Sequence, residues 1–245
     1  MSEEAKAIVD IEQDLALREL STDGVFIVMP AYNEEQVIGE VVSNLRQYFK
    51  NIVVVDDGSS DDTVLAAQRS GAAVLRHVVN RGQGAALQTG ISFSLLKGAE
   101  IIVTYDADGQ HELADVFHLI EAVAKKEVDV ALGSRFLKDN ASLPPSRRAL
   151  LRVAVLFSRL TSGLKVSDAH NGMRAFSRKA AEKIEITLDR MAHASEILDE
   201  IRIHHLSYRE IPVTIHYTEY SRAKGQRATA AISIALDYLL GKYIK

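Results

Sequence analysis

Two aspartates one residue apart, Asp106 and Asp108, stand in the segment Tyr105-Asp106-Ala107-Asp108-Gly109-Gln110-His111. Carboxylates at that spacing can hold a hard divalent cation through oxygen and leave coordination positions open to phosphate oxygens. Gln110 and His111 follow at once and are able to ligate or orient. Asp-Ala-Asp-Gly is equally good turn chemistry, so a plain turn stands as the alternative. A second acidic turn, Asp56-Asp57-Gly58-Ser59, could accept hydrogen bonds from a nucleobase or ribose; its other reading is a strand-to-helix turn with Asp61 as the helix cap. Pro30-Ala31-Tyr32-Asn33-Glu34 could wall such a base, with Tyr32 stacking on it or simply packing. Asn80-Arg81-Gly82-Gln83-Gly84 opens a helix, and glycine-rich backbone at a helix N-terminus suits phosphate. It is not a dinucleotide fingerprint, because Leu87 occupies the third glycine position, and no Walker pattern is present.

These segments need elements to hold them. Val25 to Met29 is a short apolar run stopped by Pro30, and Ile52 to Val55 is unbroken, the mark of a strand buried on both faces. Ala73 to Val79, Ile101 to Thr104 and Val128 to Leu132 read as further strands. Helical spacing fills the gaps over 34–49, 61–70, 84–96 and 113–125. Strands alternating with helices predict a mainly parallel, doubly wound α/β sheet over 23–135. In such sheets ligands bind outside the carboxyl ends of the strands, and all three polar clusters fall there. After Arg135 the rhythm breaks. Residues 136–146 read as a loop stiffened by Pro144-Pro145, 147–160 as a helix and 172–177 as a strand. Residues 193–204 then read as a helix, 209–217 as a half-exposed strand and 218–227 as a polar loop. Flanking helices are expected over 1–22, acidic with Ile8, Ile11 and Leu15 in a stripe, and over 228–245, amphipathic. The expected organisation is therefore one domain over 23–227 with a helix at each end.

Composition narrows the classes. The 245 residues are 47% hydrophobic and 25% charged, which fits a packed globular chain and excludes disorder. With no cysteine, disulfides, cysteine-based zinc sites and thiol nucleophiles are ruled out. No apolar run reaches the roughly 18–20 residues of a membrane span, and the acidic start is unlike the basic start of a signal peptide. The expectation is a cytoplasmic protein. The net charge of −4 conceals an uneven layout: residues 1–23 hold seven acids and two bases, whereas Arg135 to Lys183 hold eleven Lys or Arg against three acids. Such a basic block invites phosphate or an acidic membrane surface, or is a solvated helix face. Aromatics do not interleave with it, which disfavours nucleic acid.

Six motifs come in the order and spacing of the family 2 glycosyltransferases: PAYNE at 30–34, DDGSSDDT at 56–63, NRGQGAALQTG at 80–90, YDADGQH at 105–111, GSRF at 133–136 and NGMRAF at 171–176. Over about residues 24–227 the chain resembles the dolichyl- and polyprenyl-phosphate sugar synthase branch. The resemblance implies a GT-A fold, an inverting mechanism, a UDP-, GDP- or dTDP-linked sugar donor and Mg²⁺ or Mn²⁺. It implies that Pro30, Tyr32, Glu34, Val55 and Asp57 hold the nucleoside, with Arg81 nearby. Asp106 and Ala107 would approach the ribose and phosphate; Asp108 and Gln110, with Asp106, would bind the metal. Arg135 would meet phosphate, and Arg147 stands where the branch places an arginine for the acceptor phosphate. Arg222 matches an arginine three residues before a glycine in a C-terminal loop. That loop departs from the usual Gly-x-Ser-Lys, reading Gly225-Gln226-Arg227-Ala228, so Lys224 or Arg227 would replace the lysine.

The departing diphosphate gains negative charge as the sugar leaves, so a cation on Asp108 with Arg135 and Arg222 would stabilise it. A lipid-phosphate acceptor is already an anion. A hydroxyl acceptor needs a proton-accepting carboxylate, for which Asp168 and Glu196 are the candidates; a cap and a helix surface charge are their plain readings. The competing functions are a glycosyltransferase extending a glycan at a hydroxyl and a non-catalytic nucleotide-binding scaffold. A phosphohydrolase is discounted because its Asp-x-Asp loop belongs on the first strand. The basic block and the last helix together suggest work at the inner face of the membrane without crossing it. Ile232, Leu236, Leu239, Leu240 and Tyr243 form a broad apolar face there, to be covered by the domain itself, a second copy, a small membrane protein or the lipid interface.

Overall fold

The computed structural model describes residues 21–137, 162–189 and 192–216. Seven strands form one sheet in the order β3-β2-β1-β4-β6-β5-β7. They are β1 (Val25–Ala31), β2 (Asn51–Asp56), β3 (Ala73–Arg76), β4 (Ile101–Thr104), β5 (Val130–Ser134), β6 (Arg174–Ser177) and β7 (Tyr208–Pro212). Strands β1 to β4 are mutually parallel, and β5 pairs in parallel with β7. The sheet is mainly parallel, as the alternation of elements predicts. Order 3-2-1-4 puts the topological switch point between β1 and β4, where parallel sheets open a crevice at their carboxyl edge.

The sequence pattern would seat β5 directly beside β4. Instead β6 lies between them, antiparallel to both, with Arg174 in register with Thr104 on one side and Leu132 on the other. An antiparallel strand enters the sheet at the edge where its parallel neighbours leave. The residues before β6 are thereby delivered to the same edge as the residues after β4.

Each face of the sheet carries a core. Ile27, Met29, Val54 and Val103 pack under α1 (Ile38–Arg46) and α4 (Leu113–Ala124). The intervening Val28, Val53, Val55 and Ile102 pack under α3 (Gln83–Leu96) and α6 (His193–Ile203). Strands this apolar on both faces have no solvated side, which is why they read as continuous runs. In α1, Ile38, Val41, Val42 and Leu45 form the buried stripe. This helix is shorter than its sequence spacing suggests. Asn33 takes a left-handed φ of 54°, and the Glu34 amide donates to Thr63 Oγ1 at 2.7 Å, so 34–37 form a turn. Helix α2 (Thr63–Arg69) has Asp62, not the anticipated Asp61, at its N-cap; Asp61 stands one residue earlier and accepts the Thr63 amide on Oδ1 at 3.1 Å in a side-chain turn. The four-residue α5 (Arg178–Ala181) has no helical signal in the sequence; the Ser177 hydroxyl caps it through the Ala180 amide. The expected helices over 1–22, 147–160 and 228–245 lie outside the described residues, apart from positions 21 and 22, as do Arg147, Arg222 and Lys224.

Candidate active site

A polar pocket of about 130 Å³ opens at the carboxyl end of β4. It is lined by Asp106, Asp108, Gln110 and His111 from the segment after β4, and by Arg135, His170, Asn171, Gly172 and Ile215. Of the residues proposed for metal and phosphate, the fold therefore gathers Asp106, Asp108, Gln110 and Arg135. The turn after β4 contributes the first three and the end of β5 the fourth.

Asp106 is fixed from two sides. His111 Nε2 lies 3.0 Å from Oδ2, and Gln83 Nε2 donates to Oδ1 at 3.0 Å. Burial would raise its carboxyl, but the hydrogen bond and charge of His111, with His193 and Arg174, outweigh burial and hold it below the usual carboxylate range. Asp108 is placed differently. Burial and then the neighbouring Asp106 charge push its carboxyl up to about 6. Its partner is Gln110, which donates from Nε2 to Oδ2 at 2.6 Å and from its amide to Oδ1 at 3.1 Å. Asp108 and Asp106 supply hard oxygens of the sort that suit Mg²⁺ or Mn²⁺, and Gln110 would add its Oε1 only with the amide turned over, since Nε2 now meets Asp108. A desolvated carboxylate beside another carboxylate gains from a cation. Among the described residues no cluster of three or more His, Cys, Asp or Glu could hold a metal by itself.

Arg135 donates from its amide and Nε to Asp168 Oδ2, at 3.2 and 2.6 Å, while Nη2 lies 3.4 Å from Oδ1. Asp168 is buried and also receives the His170 amide at 3.3 Å. The proton-accepting role expected of Asp168 is replaced by this pairing, which aims and holds Arg135. Arg174 is buried and donates from Nε to the Asn171 carbonyl and from Nη2 to the Ala169 carbonyl. Burial brings its guanidinium down to about 10, against the opposing pull of Asp106 and Asp168.

Several expected contacts resolve into other tasks. Val55 and Ala107 are buried in the two cores, so neither side chain can face a nucleoside. Asp57 is buried and receives the Arg81 amide at 2.9 Å, the Gly82 amide at 2.6 Å and His77 Nδ1 at 2.8 Å. Both of its oxygens are engaged in holding the 80–84 loop. The glycines of that loop serve packing: a Cβ on Gly84 would stand 2.0 Å from the Leu188 carbonyl, and the Ala85 amide goes to the Asp189 carbonyl at 3.2 Å. These amides meet protein oxygens instead of a phosphate. Arg81 pairs with Asp189 at 3.6 Å on the surface. Glu196 binds the Thr187 and Leu188 amides at 3.0 and 2.9 Å, and is not part of the pocket wall. It is a clamp on the segment that covers the α3 N-terminus, not a base. Pro30 pairs with Val55 in β1, Glu34 joins the first loop to Thr63, and Tyr32 is 47% exposed beside them, open to a flat partner.

Asn171, Gly172 and Ile215 join the pocket without having been singled out individually, although NGMRAF marks the first two; His170, whose plain reading from the sequence is a structural histidine, lines it as well. The close approach explains the glycine: a Cβ on Gly172 would lie 2.2 Å from Asp106 Oδ2. Ile215 arrives through an isolated bridge to His111, supported by the His216 amide on the Gln110 carbonyl at 2.8 Å.

The fold is a mainly parallel sheet with a switch-point crevice, and an Asp-x-Asp turn and an arginine share the pocket there. The pattern described as Glycosyl transferase family 2 matches residues 26–185, and the chain belongs to that family. It is 39% identical over 236 residues to the uncharacterized protein MJ1222 of Methanocaldococcus jannaschii, covering 94% of this chain and 97% of that one. It is 30% identical over 240 residues to a UDP-N-acetylglucosamine–dolichyl-phosphate N-acetylglucosaminyltransferase of Methanococcus voltae, covering 89% and 96%. Glucosyl-3-phosphoglycerate synthase from Mycobacterium tuberculosis, solved with Mn²⁺, UDP-glucose and phosphoglyceric acid, superposes with a TM-score of 0.63 at 19% identity, covering 93% of this chain and 82% of that one. At that identity the likeness establishes the fold.

Proposed function

We propose that this glycosyltransferase moves a sugar from a nucleoside diphosphate donor to a polyprenyl phosphate at the cytoplasmic face of the membrane. The observation that carries the reading is that Asp106, Asp108, Gln110 and Arg135 line one pocket. Cation-binding oxygens and a guanidinium in the same pocket suit a diphosphate. Mg²⁺ or Mn²⁺, held by Asp108 and Gln110 with Asp106, would supply Lewis-acid neutralisation of the leaving diphosphate. Arg135, aimed by Asp168, adds a fixed positive charge that needs no reorganisation during transfer. Tyr32 offers a face for the nucleobase. Inversion follows if the acceptor oxygen attacks the anomeric carbon from the side opposite the diphosphate.

A phosphate acceptor is favoured over a hydroxyl by the state of the carboxylates. Asp168 is committed to Arg135, Glu196 to the Thr187–Leu188 backbone, and the remaining pocket carboxylates are the proposed metal ligands. A lipid phosphate arrives ionised and needs no base. The M. voltae relative, by its name, uses a dolichyl phosphate acceptor, which supports the same reading. The proposed association with the lipid surface is peripheral; among the described residues no helix is long and apolar enough to cross a membrane. Arg147, Arg222 and Lys224 are the proposed phosphate contacts beyond the pocket.

The test is transfer of radiolabel from UDP-glucose, UDP-N-acetylglucosamine and GDP-mannose to undecaprenyl or dolichyl phosphate in vesicles, with Mn²⁺ or with EDTA. Label should enter the lipid phase only with lipid phosphate and metal present. Label reaching only a glycan hydroxyl would favour the runner-up, and absence of transfer from every donor would refute the reading.

A further inference from the structure

The neutral groups of the pocket wall have no task in the reaction as described. Asn171 is 2% exposed, and its side chain is oriented by its own oxygen: Oδ1 accepts the Met173 amide at 2.9 Å. That bond fixes which end of the amide is the donor. Nδ2 is buried and meets no hydrogen-bond acceptor in the protein. A buried donor without a partner is unfavourable by about 1–3 kcal/mol, so a fold retains one where something else supplies the acceptor. Asn171 lines the same pocket as His170 and Asp108. His170 is kept neutral by burial, with Arg174 and Arg135 reinforcing the effect against Asp168.

The pocket therefore offers both charged and uncharged groups. Asp106, Asp108 and Arg135 form an ionic part suited to a cation and a diphosphate. Asn171 and His170 form an uncharged part. A phosphate oxygen is better served by the ionic part, and a neutral, oxygen-rich group by the other. We infer that Asn171 Nδ2 donates a hydrogen bond to a ring hydroxyl of the transferred sugar and is a specificity-determining residue for the donor. The inference rests on the nucleotide-sugar reading above. Its physical basis is that a site holding a polar group for one hydroxyl discriminates against a sugar that places no oxygen there, because the buried donor is then left unpaired.

The variant Asn171→Ser tests this. Serine retains an oxygen able to accept the Met173 amide in a side-chain turn but lacks the donor amide. Calorimetry in Mn²⁺ compares UDP with UDP-glucose, UDP-galactose and UDP-N-acetylglucosamine, and GDP with GDP-mannose, for wild type and variant. In the variant the preferred nucleotide sugar should lose about five- to twenty-fold in affinity, the range of one hydrogen bond in a desolvated site. The matching free diphosphate should change less than two-fold, and the spread among the UDP-sugars should narrow. Equal losses for diphosphate and nucleotide sugar, or unchanged affinities for both, would overturn the assignment while leaving the donor reading intact. Wild-type protein that binds none of these nucleotides would overturn the donor reading and this inference with it.

Discussion

Replacing Gly172 by alanine isolates the contact on which the metal wall depends. A Cβ at this position would lie 2.2 and 2.5 Å from the two Asp106 carboxylate oxygens and 2.6 Å from Cγ. Gly172 is not among the glycines with positive φ, so alanine brings no backbone strain and the collision is the main effect. Asp106 would have to retreat by about 1 Å to restore van der Waals contact. It is held by His111 and Gln83 at 3.0 Å each, so retreat stretches both bonds. Overpacking of this kind destabilises by about 1–3 kcal/mol, and weakening hydrogen bonds to a charged acceptor adds to it. The expected total is about 3 kcal/mol, a fall in Tm of roughly 6–12 °C for a protein of this size. Urea unfolding of four proteins is the assay: wild type, Gly172→Ala, Asp106→Ala and the double variant. Without the Asp106 carboxylate the new methyl meets none of those atoms. The Gly172→Ala penalty should then drop below about 1 kcal/mol, a coupling of about 2 kcal/mol. The same penalty in both backgrounds, or none in either, would refute the reasoning.

Asp108, raised from an ordinary 3.8 to about 6, binds its proton more tightly in the folded state. In metal-free protein its stabilising contribution is full below about pH 4 and lost as pH rises through about 6, by up to about 3 kcal/mol. Urea melts between pH 4 and 7 should show this as a wild-type slope that Asp108→Asn lacks; parallel slopes would count against it. Mn²⁺ affinity should rise about tenfold per pH unit below pH 6 and level off above it, because proton and cation compete for one carboxylate. Glu196→Gln keeps an acceptor for the Thr187 and Leu188 amides, so transfer should stay within a few-fold of wild type. Glu196→Ala should lower stability by about 1–3 kcal/mol, and a folded but inactive Glu196→Gln protein would restore the base. Arg147→Ala should raise the KM for polyprenyl phosphate at least tenfold with nucleotide affinity by calorimetry unchanged; equal losses in both would remove its proposed role.

The sequence alone determined the parallel half of this protein, and the reason is physical. Strands buried on both faces must be apolar at every position, so β1, β2 and β4 stand out between amphipathic helices. Their carboxyl ends then had to carry the polar clusters, and Asp106, Asp108 and Gln110 follow from that placement. After β5 the elements themselves were legible, 172–177 and 209–217 as strands and 193–204 as a helix, but their place in the sheet was not. Residues 174–177 are too few for periodicity to place them, and their insertion between β4 and β5 joins residues some 70 positions apart. That insertion alone brought Asp168, Asn171 and Gly172 to Asp106 and Arg135. Residue type also could not say which acids face a ligand. Asp57, Asp168 and Glu196 are chemically as able as Asp108, but backbone amides from distant loops or the Arg135 guanidinium engage them. A carboxylate becomes functional or structural according to the donors that folding places around it, and those donors are set by tertiary contacts that no local pattern encodes.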